Sequence, residues 1–300
     1  MKNIFIFVLS IIIISIFTFT FIKVKENYNI NFQYSDKYNN VPNDNTKKVI
    51  TEKDTNDIFH LADIDASNTV KPILNKINDY SNYISIIIDD SGNTLNNVDR
   101  YFDLAGMYNI TFAVLPDSYY SLDFSYKAYS NNVNVILHMP MEGSGYFGEQ
   151  TLIKRGMSKD DIYKLLDYSF SRVPYAMGMN NHTGSLAGSD SNVVSYMLDY
   201  AKNDNKYFID SYTSSDSLIY NMALEYGVKT ARRSVFLDNE RDYDSIMKQW
   251  RKLIDIAKEC GIAIGIGHYQ SEETLKILEY NMHLLKDEGI EAVNITEVLN

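Results

Sequence analysis

Residues 83–90 read Tyr-Ile-Ser-Ile-Ile-Ile-Asp-Asp, an apolar, β-branched run that ends in two vicinal carboxylates. Apolar runs of this length without polar alternation mark strands buried on both faces, as in a parallel sheet covered by helices. The same texture recurs at 110–115 (ITFAVL), 133–139 (VNVILHM), 176–179 (AMGM), 207–210 (YFID), 229–236 (KTARRSVF), 262–267 (IAIGIG) and 291–295 (EAVNI). The intervening segments predict helices over about 96–108, 122–131, 158–172, 192–202, 218–226, 243–259 and 272–288. Ser158-Lys-Asp-Asp161 reads as the cap of the third. Seven or eight β-α units within 83–300 predict an α/β fold with right-handed crossovers, and the length suits a compact parallel β/α barrel, distorted or short of a unit, better than an open sheet. No GxGxxG follows the first strand and no P-loop is present, so dinucleotide and nucleoside-triphosphate chemistry lack support.

Upstream of this domain the chain changes character twice. Ile4 to Ile22 carries no charge, and its nineteen residues at about 1.5 Å each match the hydrocarbon thickness of a bilayer. No small-residue cleavage site follows Phe21, so residues 1–22 are expected to be an uncleaved single-pass transmembrane anchor. Residues 23–80 hold eleven Asn and only scattered apolar side chains, the composition of a flexible linker. Acidic residues outnumber basic ones 39 to 28, giving a net charge of -11 with no basic stripe, which argues against a nucleic-acid partner. A single cysteine, Cys260, excludes an internal disulfide framework and a Cys-rich zinc finger. The 24 tyrosines read as compositional bias rather than as carbohydrate platforms.

In parallel α/β proteins the chemistry gathers at the carboxyl ends of the strands. Here those ends are polar: Asp89-Asp90, His138, Asn180-Asn181-His182-Thr183-Gly184-Ser185, Asp210-Ser211, Asp238-Asn239 and His268. Three of the five histidines therefore follow apolar strand runs at one end of the domain, while His60 and His283 do not. Two imidazoles and a carboxylate with open positions make a three-ligand catalytic site for zinc or another first-row divalent ion. The second carboxylate of a vicinal pair is then free to handle protons, although an Asp in a βα turn also serves as a helix cap.

The segments IIIDD, HMPME, GMNNHTGS, FIDS, ARRSVFLDN and IGIGH, in that order across residues 83–299, resemble the divergent polysaccharide deacetylases. These are distant relatives of the metal-dependent carbohydrate esterases. The resemblance implies a distorted seven-stranded β/α barrel outside the cytoplasm, and the N-terminal segment is expected to tether it to the cell membrane. It implies Asp90, His138 and His182 as ligands of a divalent ion, zinc by preference, with Asp89 as general base and His268 as general acid. Asn180, Asn181 and Ser185 would orient His182 or contact substrate. Asp210, Arg232, Arg233 and Asp238 would position Asp89 and the histidines. Glu142 is a further candidate ligand. The implied reaction is hydrolysis of an N-acetyl group on an acetylated polysaccharide or a peptidoglycan-like glycan. Two features depart from mainstream esterases: the metal histidines come from two strands rather than an H-x-x-x-H cluster, and NNHTGS replaces an Arg-x-Pro-Tyr strand end. Two other classes stay open. One is a glycan-binding or envelope-assembly protein that keeps the metal site without turnover. The other is a metal-independent glycoside hydrolase using carboxylates such as Asp90 and Asp210.

Overall fold

The computed structural model describes residues 82–145 and 151–300. The predicted anchor (1–22) and linker (23–80) lie outside the described residues. No helix among the described residues is long and apolar enough to cross a membrane. Nine strands form one sheet: β1 (Asn82–Ser91), β2 (Thr111–Val114), β3 (Asn134–Met141), β4 (Gly178–Thr183), β5 (Tyr207–Asp210), β6 (Thr230–Arg232), β7 (Val235–Phe236), β8 (Ile262–His268) and β9 (Ile290–Ala292). Seven α-helices alternate with them: α1 (Val98–Tyr108), α2 (Ser121–Ser130), α3 (Lys159–Arg172), α4 (Ser191–Asn203), α5 (Ile219–Tyr226), α6 (Tyr243–Cys260) and α7 (Glu272–Asn281). Seven of the eight apolar runs each overlap one strand, and 229–236 overlaps two. Ser158 caps α3 by accepting from the Asp161 amide. The helix expected over 272–288 instead tightens into a 3-10 turn at Met282–Glu288, whose period of three puts Met282 and Leu285 together in the core.

The hydrogen-bonded order is β6-β5-β4-β3-β2-β1-β8-β7, with every ladder parallel, and β9 pairs with the start of β1. The expected seven-stranded barrel is therefore a curled sheet of eight strands in sequence plus a ninth, and among the described residues no ladder joins β6 to β7. The reason lies in two residues. The Arg233 amide bonds the Asp210 carbonyl beside β6, whereas the next amide, Ser234, bonds Ile264 on β8. One predicted strand thus splits in two, and its halves form the opposite edges of the sheet.

Strand parity sorts the interior into two cores. Ile84, Ile86 and Ile88 pack outward against helices, with Tyr101, Phe124 and Leu253. Tyr83 and Ile87 face the other way, joining Ile136, Ile209, Ala231, Ile264 and Ile266. Contact among residues of β5, β6 and β8, far apart in the ladder, requires the sheet to curl around this inner core. Val293, Ile295, Val298 and Leu299 plug it at the strand starts, leaving the carboxyl ends as the mouth. Close packing leaves little slack near that plug. A Cβ on Gly178 would lie 2.4 Å from the ring of Tyr207, its register partner. Gly178→Ala should cost about 1–3 kcal/mol of stability, seen as a lower urea midpoint with an unchanged slope.

Candidate metal centre

A regular strand sends adjacent side chains to opposite faces, so Asp89 and Asp90 should diverge. They do not, because β1 carries a bulge. The four residues Ile88 to Ser91 oppose three on β2, Phe112 to Val114. The extra residue is absorbed by Asp90 in the left-handed region at φ 57°. Gln270 donates to the Asp90 carbonyl and Ser91 to the Ile88 carbonyl, which ties the bulge down. Asp89 keeps the inward parity of Tyr83 and Ile87, and both carboxylates reach His138.

Three atoms from three strands meet at the mouth. Asp90 Oδ1 is 3.3 Å from His138 Nε2 and 3.2 Å from His182 Nδ1, and the two imidazole nitrogens are 3.0 Å apart. Three ligands at about 2.1 Å from one ion would be separated by about 3.0 Å on an octahedral face and about 3.4 Å in a tetrahedron. The observed triangle falls within that span. Asp90 Oδ1 is buried with no hydrogen-bond partner, as expected of an oxygen kept for a cation. The donor set of two imidazoles and one carboxylate, Asp90, His138 and His182, therefore fits a divalent ion.

Asn180 orders the ligands from behind. Its Nδ2 donates to Asp89 Oδ1 at 2.8 Å, which leaves its Oδ1, 2.7 Å from His138 Nδ1, to accept. His138 is thereby held as the Nδ1–H tautomer with its Nε2 lone pair turned to the triangle. Burial alone would raise Asp90, but His138 and His182 hold it far below the usual carboxylate range. Burial depresses His138, yet Asp89 and Asp90 outweigh it and push the imidazole up to about 9. The negative charge that draws a proton there is the charge that would draw a cation. Asp89 moves upward, because burial outweighs His138, His268 and Asn180.

Across the mouth, β8 runs beside β1 with Asp89 and His268 as register partners. Asp238, itself buried, accepts from His268 Nδ1 at 2.6 Å through Oδ1, and its Oδ2 accepts from the His268 amide and from Thr274 Oγ1. Burial lowers His268, and the Asp238 carboxylate more than reverses it. Phe236 lies nearly parallel to the imidazole, with centroids 5.8 Å apart and planes at 21°.

Parity explains the residues that stand elsewhere. Asp210 and Arg232 alternate with the inner-core residues Ile209 and Ala231, so both face the helices. Asp210 organises the loop after β5, accepting from the Tyr212 and Tyr220 amides and from Ser217, rather than positioning Asp89. Arg232 lies over the Tyr212 and Tyr220 rings. Asn181 alternates with Asn180 and His182, and it bonds the Ser211 amide and the Thr183 carbonyl. Ser185 accepts from the Ser144 amide. Glu142 accepts from the Arg155 amide and stays outside the triangle. The sequence reading missed Thr274, Phe236 and Gln270; the polar Gln270 directly after His268-Tyr269 was the available signal, whereas Thr274 and Phe236 carried none.

A family model described as divergent polysaccharide deacetylase matches residues 86–299. Among curated proteins, the uncharacterised YibQ of Escherichia coli K12 is 32% identical over 218 residues, covering 72% of this chain and 67% of its own length. An uncharacterised Haemophilus influenzae protein is 29% identical over 206 residues, 68% of this chain and 72% of its own. The fold is shared with the crystal structure of an uncharacterised Agrobacterium tumefaciens protein at a TM-score of 0.68 and 17% identity, over 73% of this chain and 90% of that one.

Elemental analysis of the purified chain should find about one divalent ion per molecule, lost in both His138→Ala and His182→Ala. Asn180→Ala keeps all three ligands and should weaken metal affinity by about 10- to 100-fold. Full occupancy in the histidine variants would place the ion elsewhere.

Proposed function

The chain belongs to the divergent polysaccharide deacetylase family, and from that premise we propose that it is a metal-dependent hydrolase that removes acetyl groups from an envelope glycan. The bond cut is an amide C–N bond, and the substrate an acetylated polysaccharide or a peptidoglycan-like strand. The observation that carries this reading is the convergence of three functions on one mouth. A facial Asp90-His138-His182 ligand set, a buried carboxylate at Asp89 and a carboxylate-backed imidazole at His268 all come from the ends of neighbouring strands.

A divalent ion, zinc by preference, supplies Lewis-acid polarisation of the acetyl carbonyl and acidifies water when bound. Asp89 takes the proton of the attacking water. Its raised pKa brings it nearer the working pH, where a general base is most effective. Asn180 keeps that carboxylate in register with His138. His268 carries the proton to the leaving amine through Nε2, because Nδ1 is committed to Asp238. The Asp238 carboxylate stabilises the imidazolium and so holds the acid's proton more tightly.

Residues 83–300 form the catalytic domain in this reading. The uncharged segment Ile4–Ile22 holds the chain in the cell membrane as a single span, and residues 23–80 extend the domain toward the glycan outside the cytoplasm.

Acetate release from N-acetylated chitooligosaccharides or peptidoglycan strands should require metal, stop with chelator and return with zinc. Asp89→Asn should lower kcat by about 10²- to 10⁴-fold with the ion retained. A metal-loaded protein that binds glycan and never releases acetate would be a binding protein instead. Asp238→Asn removes the charge that raises His268, so the imidazolium is lost at lower pH. The alkaline limb of the kcat profile should shift downward while the acidic limb stays in place.

A further inference from the structure

Arg233 is the charged residue of the mouth that the reaction above leaves without a task. It stands directly after β6, where its amide bonds the Asp210 carbonyl at 3.0 Å. Its side chain is held from three directions. Nε donates to the Ser211 carbonyl at 2.6 Å, Nη2 donates to the Tyr212 carbonyl at 2.8 Å, and the guanidinium carbon lies 3.7 Å over the Phe236 ring. The cradle is built by a strained turn. Tyr212 is left-handed at φ 49°, fixed by its amide donating to Asp210 Oδ1 at 2.8 Å, and this aims the two carbonyls at one guanidinium.

All of these partners are neutral. Among the described residues no carboxylate forms an ion pair with Arg233, and no bond engages its Nη1. Burial pushes the guanidinium down to about 10, and the more distant Asp210 and Asp89 only partly offset it. Dipoles orient a cation without neutralising it, so a half-buried guanidinium met by two carbonyls and a ring keeps an uncompensated charge. The geometry also leaves the Nη1–Nη2 edge as a pair of parallel donors, the fork that matches a carboxylate. Phe236 relates this fork to the chemistry, since its ring also lies against His268. An anion at Arg233 would sit beyond that ring, on a part of the ligand next to the acetylated centre.

We propose that Arg233 is an anion-recognition residue whose free edge grips a carboxylate of the glycan, so that the substrate class is an acidic, carboxylate-bearing acetylated glycan. This rests on the reading of the mouth as a glycan site. The probe is a matched pair: an N-acetylated oligosaccharide carrying a uronic or carboxyalkyl group, and its methyl ester. Calorimetric titration into the full chain should give the acid about 10- to 100-fold tighter binding than the ester. Added salt should narrow that gap. Arg233→Gln should bring the acid down to the level of the ester and leave ester binding and metal content unchanged, and Arg233→Lys should restore part of the difference. Equal binding of acid and ester by the wild type overturns the inference without the aid of any variant and leaves the deacetylase reading intact. Equal loss of both ligands in Arg233→Gln also overturns it, because the residue would then only support the fold. Binding of neither form removes this inference together with the glycan reading.

Discussion

A single extra residue in β1 sets the geometry on which the mouth depends. Without the bulge, Asp89 would face the inner core and Asp90 the helices, and no vicinal pair could address one imidazole. With it, both lie within reach of His138, at 3.6 Å and 3.3 Å. A left-handed aspartate costs on the order of 1 kcal/mol or more. The surrounding bonds offset this cost: Gln270 to the Asp90 carbonyl, Ser91 to Ile88, and the Tyr269 amide to the Asp89 carbonyl. Two of these come from the β8–α7 connection, so the strand that carries His268 also holds the bulge in shape. Asp89, Asp90 and His268 are therefore fixed by one pair of neighbouring strands.

Electrostatics at the mouth follow from that placement. Asp89, Asp238 and His138 are buried, and Asp90, His182 and His268 lie half-buried beside them. The three carboxylates behave differently because their partners differ. Asp238 is saturated by three donors and serves as a fixed counter-charge to His268. Asp90 is held ionised between two imidazoles. Asp89 has Asn180 as its one close side-chain donor, and burial dominates its proton affinity. A shared environment that drives neighbouring carboxylates in opposite directions is the physical basis on which the proposed reaction gives Asp90 to the ion and Asp89 to the proton.

The strands and their polar ends were legible in the sequence because a buried parallel strand needs an apolar run and a βα end does not. Asp89, Asp90, His138, His182 and His268 come together at the mouth as those ends suggested. What was not drawn from the sequence is parity. Ile209 and Ala231 face the inner core, so Asp210 and Arg232 must face out, and the same alternation separates Asn181 from Asn180 and His182. That information was present in the residues. The bulge was not, because nothing in Ile-Ile-Ile-Asp-Asp announces a left-handed aspartate. The split of 229–236 was hidden too, since it depends on which neighbour each amide finds. The seven-strand expectation fails there, at Arg233-Ser234.

That split also explains why so much of the mouth comes from so short a segment. Arg233 and Ser234 carry the chain from the edge strand β6 to the opposite edge, where Val235 and Phe236 pair with β8. Arg233 rests on the β5 loop, Phe236 lies between Arg233 and His268, and Asp238 takes the imidazole from behind. Closing the barrel with a continuous β6–β7 ladder would return alternate residues of this segment to the outer core and remove the stack. The open seam in the sheet is thus the feature that brings Arg233, Phe236 and Asp238 together around His268.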